Sequence, residues 1–178
     1  HVRSGEVPKG CRIIVGGHPY PNNNSVRAAR AALALAAKAG KGDLFLFLLS
    51  GGASALLCAP IPVYSLAAKI RQTKKLLGSG LSISKVNAVR KKLSLIKGGK
   101  LALAAFPARV LTLAVSDVPG DDPSVIGSGP TWTGKSSGSG VSATQGGGDA
   151  ARRRNTFRVI ASNRPALEGA AREAQKKG

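Results

Sequence analysis

Six consecutive apolar residues, Leu44, Phe45, Leu46, Phe47, Leu48 and Leu49, follow Asp43 and run straight into Ser50, Gly51 and Gly52. A run of this length and type reads as a strand. Because it is continuous rather than alternating, it predicts burial on both faces, as in a parallel sheet with helices packed on it. A second run, Arg109 to Val115, has the same character, and Phe157 to Ala161 supplies a third. Arg12 to Val15 reads as a shorter buried strand ended by Gly16 and Gly17. Helical patterns lie between these runs. Asn24 or Ser25 caps an alanine-rich helix to Ala39, and Ser65 caps one to about Leu77. Ser84 caps another through Lys97 that stops at Gly98 and Gly99, and a short one follows to Ala105. Strands alternating with helices give an α/β class with a mainly parallel sheet and right-handed crossovers.

The end of the second strand carries the densest chemistry. Ser116, Asp117, Val118, Pro119, Gly120, Asp121, Asp122 and Pro123 lead on to Ser128, Gly129, Pro130 and Thr131. Three of the eight acidic residues fall in this loop. Asp, Pro and Gly are ordinary turn formers, so a plain turn accounts for the composition. In an open α/β sheet, however, the carboxyl ends of the strands are where ligands bind. Four loops qualify for that edge: residues 16–22, 50–54, 116–131 and 162–163. Ser50, Gly51, Gly52, Ala53 and Ser54 have the makings of a phosphate cradle, with backbone N–H groups, hydroxyls and a following helix N-terminus. The helix from Ser84 sets Asn87, Arg90, Lys91 and Ser94 opposite Val86, Val89, Leu93 and Ile96, and Lys97 stands at its end. His18, between Gly17 and Pro19, is a further candidate acid–base group. Two histidines and two cysteines without ligand spacing argue against zinc.

Charge bears on partners. Lysine and arginine number 27, for a net charge of +19, a balance that ordinarily points to polyanions. The basic residues are scattered and not interleaved with Tyr20, Tyr64 or Trp132, so nucleic-acid binding is not expected. No apolar run reaches the ~20 residues of a membrane span. No secretory leader is legible and the two cysteines read as reduced thiols, so a cytoplasmic location is the expectation. A chain starting at His1 and lacking methionine reads as a processed product or a piece of something longer.

Taken in order, these motifs resemble the glycerate 2-kinase family, whose members have also been called hydroxypyruvate reductases. The resemblance is carried by Gly17, His18, Pro19 and Pro21, by Ser50 to Leu56, and by Asn87, Val89, Arg90, Lys91, Leu93, Ser94, Ile96, Lys97, Gly98 and Gly99. It continues through Ser116 to Pro123, Ile126, Ser128, Gly129, Pro130, Thr131 and Ser162, Asn163 and Arg164. It implies an ATP-dependent, magnesium-using kinase that phosphorylates the 2-hydroxyl of D-glycerate to give 2-phosphoglycerate. It also implies a Rossmann-like three-layer domain, without the family's C-terminal domain and therefore inactive alone. Residues 1–131 would be the domain's core, 132–155 a Gly/Ser-rich linker, and 156–178 the closing strand and helix. Carried onto this chain, catalytic roles fall to Asp117, Asp121, Lys97 and Arg90. Phosphate, nucleotide or substrate contacts fall to Ser50, Gly51, Gly52, Ala53, Ser54, Asn87, Ser128, Thr131 and Asn163, and metal binding to Asp117 and Asp122. A homodimer is compatible with it. The chain departs from the family pattern at Asn22, Lys85, Lys92 and Gly127, in a shortened linker, and in its basicity. Two alternatives stay open: an oxidoreductase, which lacks a dinucleotide fingerprint here, and a basic nucleic-acid module.

Overall fold

The computed structural model describes residues 9–134 and 148–177. The chain enters a helix, α1 (Asn23–Lys38), and then a strand, β1 (Leu44–Leu49). One helical turn, α2 (Ala53–Leu56), precedes α3 (Leu66–Leu77), α4 (Ile83–Lys92) and α5 (Lys100–Ala104). Strand β2 (Arg109–Ser116) leads into two 3₁₀ turns, Pro119–Asp121 and Ile126–Ser128. A short helix, α6 (Gly148–Arg153), a strand, β3 (Asn155–Ser162), and α7 (Asn163–Lys177) complete the described chain. The sheet runs β1-β2-β3 with both pairings parallel. Leu44 sits opposite Arg109, Val110 opposite Asn155, and the β2–β3 register slips after Ala114. The α/β class expected from the alternation of apolar runs is therefore present.

Local chemistry explains the helix starts. Asn22 caps α1, its Oδ1 accepting from the Ser25 N–H at 3.0 Å while Ser25 Oγ accepts from the Asn22 N–H at 3.2 Å. The cap thus lies two or three residues before the expected one, in a reciprocal box that satisfies two orphan donors. An aspartate at position 22 would do the same job, so that departure is neutral for capping. Asn22→Ala is expected to lower unfolding free energy by about 1 kcal/mol, measured by denaturant titration. Ser65 caps α3 as expected, accepting from the Ala68 N–H at 3.1 Å.

Helix α4 differs from expectation at both ends. It starts after Ser82, not Ser84, and stops at Lys92, five residues short of Lys97. The apolar periodicity continues to Ile96, but Ser94 turns its hydroxyl onto the N–H groups of Ile96 and Lys97. That local bond competes with helix propagation. Ser94 also bridges to Pro60, the Leu95 N–H donates to Ala59 O at 2.8 Å, and Lys100 Nζ donates to the carbonyls of Lys91 and Ser94. These distant partners draw the chain out of the helix.

One face of the sheet is covered. Phe45, Leu49, Val110, Thr112, Ala114 and Ser116 are buried there, beneath Ala29 and Ala36 of α1, Leu101 and Ala102 of α5, and Ile126. The opposite face is not. Leu44, Leu46 and Leu48 are 52, 51 and 69% exposed, and Val115 and Ile160 are exposed beside them. The expectation that the 44–49 run is buried on both faces is corrected accordingly: the helices that pack on these strands among the described residues cover only one side. Arg12 to Val15 is not a strand either; it has no sheet pairing among the described residues, and Ile13 and Val15 are largely exposed. Of the expected 132–155 linker, residues 135–147 lie outside the described residues, while 148–153 are helical. No helix among the described residues is long and apolar enough to cross a membrane.

Candidate active site

The parallel strands β1 and β2 end side by side, and their loops meet. Residues 51–52 form a turn at the end of β1, and the chain beyond Ser116 passes next to it. The two loops approach closely: a Cβ on Gly51 would lie 2.6 Å from Asp117 Oδ2, so any side chain there would push the carboxylate aside. Gly52 takes φ +79°, and a Cβ there would come within 3.2 Å of His18. A cavity of about 530 Å³ opens above this turn. Its wall includes His18, Gly51, Gly52, Ser54, Thr73, Asn87, Arg90, Asp117 and Ser128. The size suits a small polar ligand.

The floor is a directed hydrogen-bond chain. Lys97 Nζ donates to Ser54 O at 2.7 Å and to Ser54 Oγ at 3.0 Å. Ser54 and Ser128 hydroxyls meet at 2.9 Å, and Ser128 Oγ donates to Asn87 Oδ1 at 3.1 Å. Since the ammonium only donates and Ser128 spends its proton on Asn87, the bond between the serines runs from Ser54 to Ser128. Asn87 Oδ1 is thereby occupied, leaving its amide N–H groups for the cavity. Ser128 holds φ +66°, a conformation costly for a residue with a side chain. Backbone bonds from Gly98 N to Ser128 O at 3.0 Å and from Gly99 N to Gly129 O at 2.7 Å hold it there.

The electrostatics are one-sided. Lys97 is fully buried and Lys69 nearly so. Burial pushes the Lys97 ammonium well below the usual lysine range, and the Arg90 and Lys69 charges push it further. Lys69 is lowered by burial as well, its Nζ meeting the Leu93 carbonyl at 3.2 Å. Arg90 lines the cavity, is lowered by burial, and its buried Nε has no hydrogen-bond partner among the described residues. Several cations thus gather in and beneath a cavity whose wall carries one carboxylate, Asp117. Such a site is short of an anion.

A pH dependence follows from the two lysines. Their folded pKa values lie below the unfolded ones, so at neutral pH the unfolded chain binds more protons and stability rises as pH rises. Burial raises the Cys58 thiol, which works against the trend once unfolded thiols begin to ionise near ~8.5. The thermal midpoint should therefore climb between neutrality and about pH 8.5. A midpoint that falls over that window would show that these ammonium groups are not desolvated.

The expected residues are distributed as follows. Gly51, Gly52, Ser54, Asn87, Arg90, Asp117 and Ser128 share the cavity. Lys97 lies one layer behind it, on Ser54. Asn163 donates from Nδ2 to the Asp117 carbonyl at 3.3 Å and so braces the loop. Ala53 is half-buried, packed against the Leu49, Ala114 and Ile126 cluster, and Ser50 is exposed at the strand end; neither is in the cavity wall. Thr131 is fully buried with its hydroxyl 2.7 Å from that of Thr112, pinning the loop to β2. Asp121 and Asp122 are outside the wall, and Asp122 Oδ1 accepts from the Ser124 N–H at 2.8 Å. No cluster of three or more metal-ligating side chains occurs among the described residues. Thr73 of α3 was not foreseeable, since a threonine inside an amphipathic helix carries no signal of its own. The helix following the glycine turn is one turn long, so the N–H groups of the turn itself, rather than a helix dipole, are what an anion would meet.

A family model described as a domain of unknown function, DUF4147, matches residues 1–147. A protein of Agrobacterium vitis carrying the name hydroxypyruvate reductase is 54% identical over 126 residues, 70% of this chain and 33% of that protein. The D-glycerate 2-kinase of Thermotoga maritima is 46% identical over 120 residues, 67% of this chain and 29% of its own length. Human glycerate kinase is 50% identical over 111 residues, 62% and 21% respectively. Among solved structures, a glycerate kinase from Thermotoga maritima superposes with a TM-score of 0.74 at 34% identity, covering 92% of this chain and 43% of that one. The chain thus spans a third or less of the length of these relatives, and under half of the solved chain.

Proposed function

Since the chain belongs to the DUF4147 domain family, we propose that it is the phosphate-binding part of an ATP-dependent kinase acting on the 2-hydroxyl of D-glycerate. The observation that carries this reading is the convergence of the glycine turn, α4 and the Asp117 loop on one cavity with cations beneath it and one carboxylate in its wall. Phosphoryl transfer asks for that division of labour: positive charge for the phosphate oxygens and a basic group for the hydroxyl. The glycerate 2-hydroxyl oxygen bonds to the γ-phosphorus as the bond from that phosphorus to the bridging oxygen breaks. ADP leaves with that electron pair, and the hydroxyl proton passes to the Asp117 carboxylate. Arg90, the Asn87 amide and the N–H groups of the glycine turn hold the phosphoryl oxygens. Lys97 acts through Ser54 and Ser128 as a positioning residue.

Magnesium suits this arrangement in a limited way. The ion commonly takes one or two protein carboxylates and completes its shell with phosphates and water. Asp117 is the carboxylate in the cavity wall that would hold it, whereas Asp122 is committed to the Ser124 N–H and is outside that wall. When bound, the ion neutralises charge on the phosphates.

The test is phosphorus NMR of the polypeptide that carries this domain, supplied with ATP, magnesium and D-glycerate. The expected product is 2-phosphoglycerate, with the 178-residue chain alone binding but not turning over. Oxidation of reduced nicotinamide by hydroxypyruvate, without any phosphorylation of glycerate, would replace this reading with the reductase one.

A further inference from the structure

The kinase reading leaves His18 without a task, although its loop is anchored beside the cavity. Its loop is tied into the capping machinery of α1: the Gly17 N–H donates to Ser25 Oγ at 3.0 Å, the same hydroxyl that accepts from the Asn22 N–H. Ser25 is fully buried and Pro21 is buried beside it. The imidazole consequently stands directly over the glycine turn. A Cβ built on Gly52 would lie 3.2 Å from His18 Cδ2 and 3.4 Å from Nε2, so the Nε2 edge faces the turn. No described residue forms a hydrogen bond with the ring. Asp117 approaches the same two-residue turn at its other glycine, its Oδ2 lying 2.6 Å from where a Cβ on Gly51 would be. Glycine at both positions lets an imidazole and a carboxylate approach one backbone turn, and both line the cavity.

We propose that His18 is a substrate-contacting residue that donates from Nε2 to a non-bridging oxygen of the phosphoryl group. This rests on the kinase reading and adds a direction to it. In the absence of magnesium a phosphoryl group is repelled by the Asp117 carboxylate and attracted by Arg90 and by an imidazole N–H. The anion therefore lies nearer His18 and Arg90, and the hydroxyl that receives it nearer Asp117. The charged groups that share the cavity wall with His18 are Asp117 from the end of β2 and Arg90 from α4; Lys97 lies behind Ser54. A dianion arriving between His18 and Arg90 favours the charged form of an imidazole that it touches.

The experiment is a proton NMR titration of the imidazoles of the full 178-residue chain with and without inorganic phosphate. The chain has two histidines, so His1 serves as the internal reference. Phosphate is expected to raise the His18 midpoint by about one pH unit and to leave His1 in place. His18→Gln, which keeps a donor but loses the charge, should weaken phosphate binding by about tenfold near pH 6 and much less near pH 8. Two results overturn the proposal and are distinguishable. If phosphate moves the amide signals of Gly51, Gly52 and Asn87 while His18 titrates unchanged, His18 has no contact with the anion and the kinase reading stands. If none of these signals moves, the anion site and the kinase reading fall together.

Discussion

On the proposed kinase reading, replacing Asp117 by asparagine in the polypeptide that carries this domain is expected to lower kcat for D-glycerate phosphorylation by about 10³, within the range for loss of a positioned general base. The side chain is exposed and accepts no hydrogen bond from the described residues, so the isosteric amide should leave the thermal midpoint almost unchanged. Loss of rate with an intact fold separates chemistry from stability. The neighbouring glycine offers a graded version. Gly51→Ala would press a methyl group into Asp117 Oδ2 and displace the carboxylate without removing it, with an expected loss of about 10². Steady-state kinetics on both variants checks the pair. An Asp117→Asn enzyme that kept its rate within about threefold would remove Asp117 from the reaction.

Lys97→Met is expected to separate stability from activity in the opposite sense to an ordinary core substitution. The ammonium is fully buried, pushed well down by burial and by two neighbouring cations, and held by the carbonyl and hydroxyl of Ser54. Removing it leaves the Ser54 carbonyl without a donor, a cost of about 1–3 kcal/mol. It also removes the desolvation of an ammonium whose nearest charged neighbours are cations, a penalty of several kcal/mol. The methionine variant should therefore unfold at an equal or higher temperature than the parent, while catalysis falls about 10² or more as Ser54, Ser128 and Asn87 lose their order. Its stability should also depend less steeply on pH between 7 and 8.5, because the most strongly depressed lysine is gone. Calorimetry over that pH range, beside turnover measurements, reads all three effects. A variant several degrees less stable would show that Lys97 is structural first.

Much of this fold can be read from local chemistry. The runs at 44–49 and 109–115 are of strand length and bounded by turn residues, which favours a sheet, and Ser65 announces α3 because its hydroxyl meets an orphan N–H. The meeting of loops 50–54, 116–131 and 162–163 at one edge follows from parallel strands, whose carboxyl ends point the same way, whereas loop 16–22 follows no described strand and is held beside them by the cap of α1. What the sequence conceals is whatever depends on a distant partner. The periodicity from Val86 to Ile96 is continuous, and only Pro60, Ala59 and Lys100 reveal why the helix stops at Lys92. Thr131 looks like a polar ligand contact until Thr112 of the adjacent strand is seen against it. Asp117, Asp121 and Asp122 are equivalent as letters. The backbone turns at Gly120 and at Asp121, φ +79° and +52°, give them separate directions, and one of the three reaches the cavity wall.

The basicity of the chain also resolves into places. Lys85 and Lys92 are exposed and solvated, departures from the family pattern with no consequence for the cavity. Among the described residues, two concentrations border cavities. One is the Arg90, Lys69 and Lys97 group under the glycine turn. The other borders a groove of about 460 Å³ on the sheet, where Arg109, Arg153, Arg154 and Arg158 surround Leu44, Leu111 and Leu113. Both attract anions, but only the first sets a carboxylate, an amide and an imidazole around the same point.

Crystals of the chain soaked with 2-phosphoglycerate put the two in direct competition. The site described here predicts the phosphate within hydrogen-bonding distance of Arg90, His18 and the Gly52 N–H, with the rest of the molecule directed toward Asp117. Density for the phosphate among Arg109, Arg153 and Arg158, with the glycine turn bare, would contradict it.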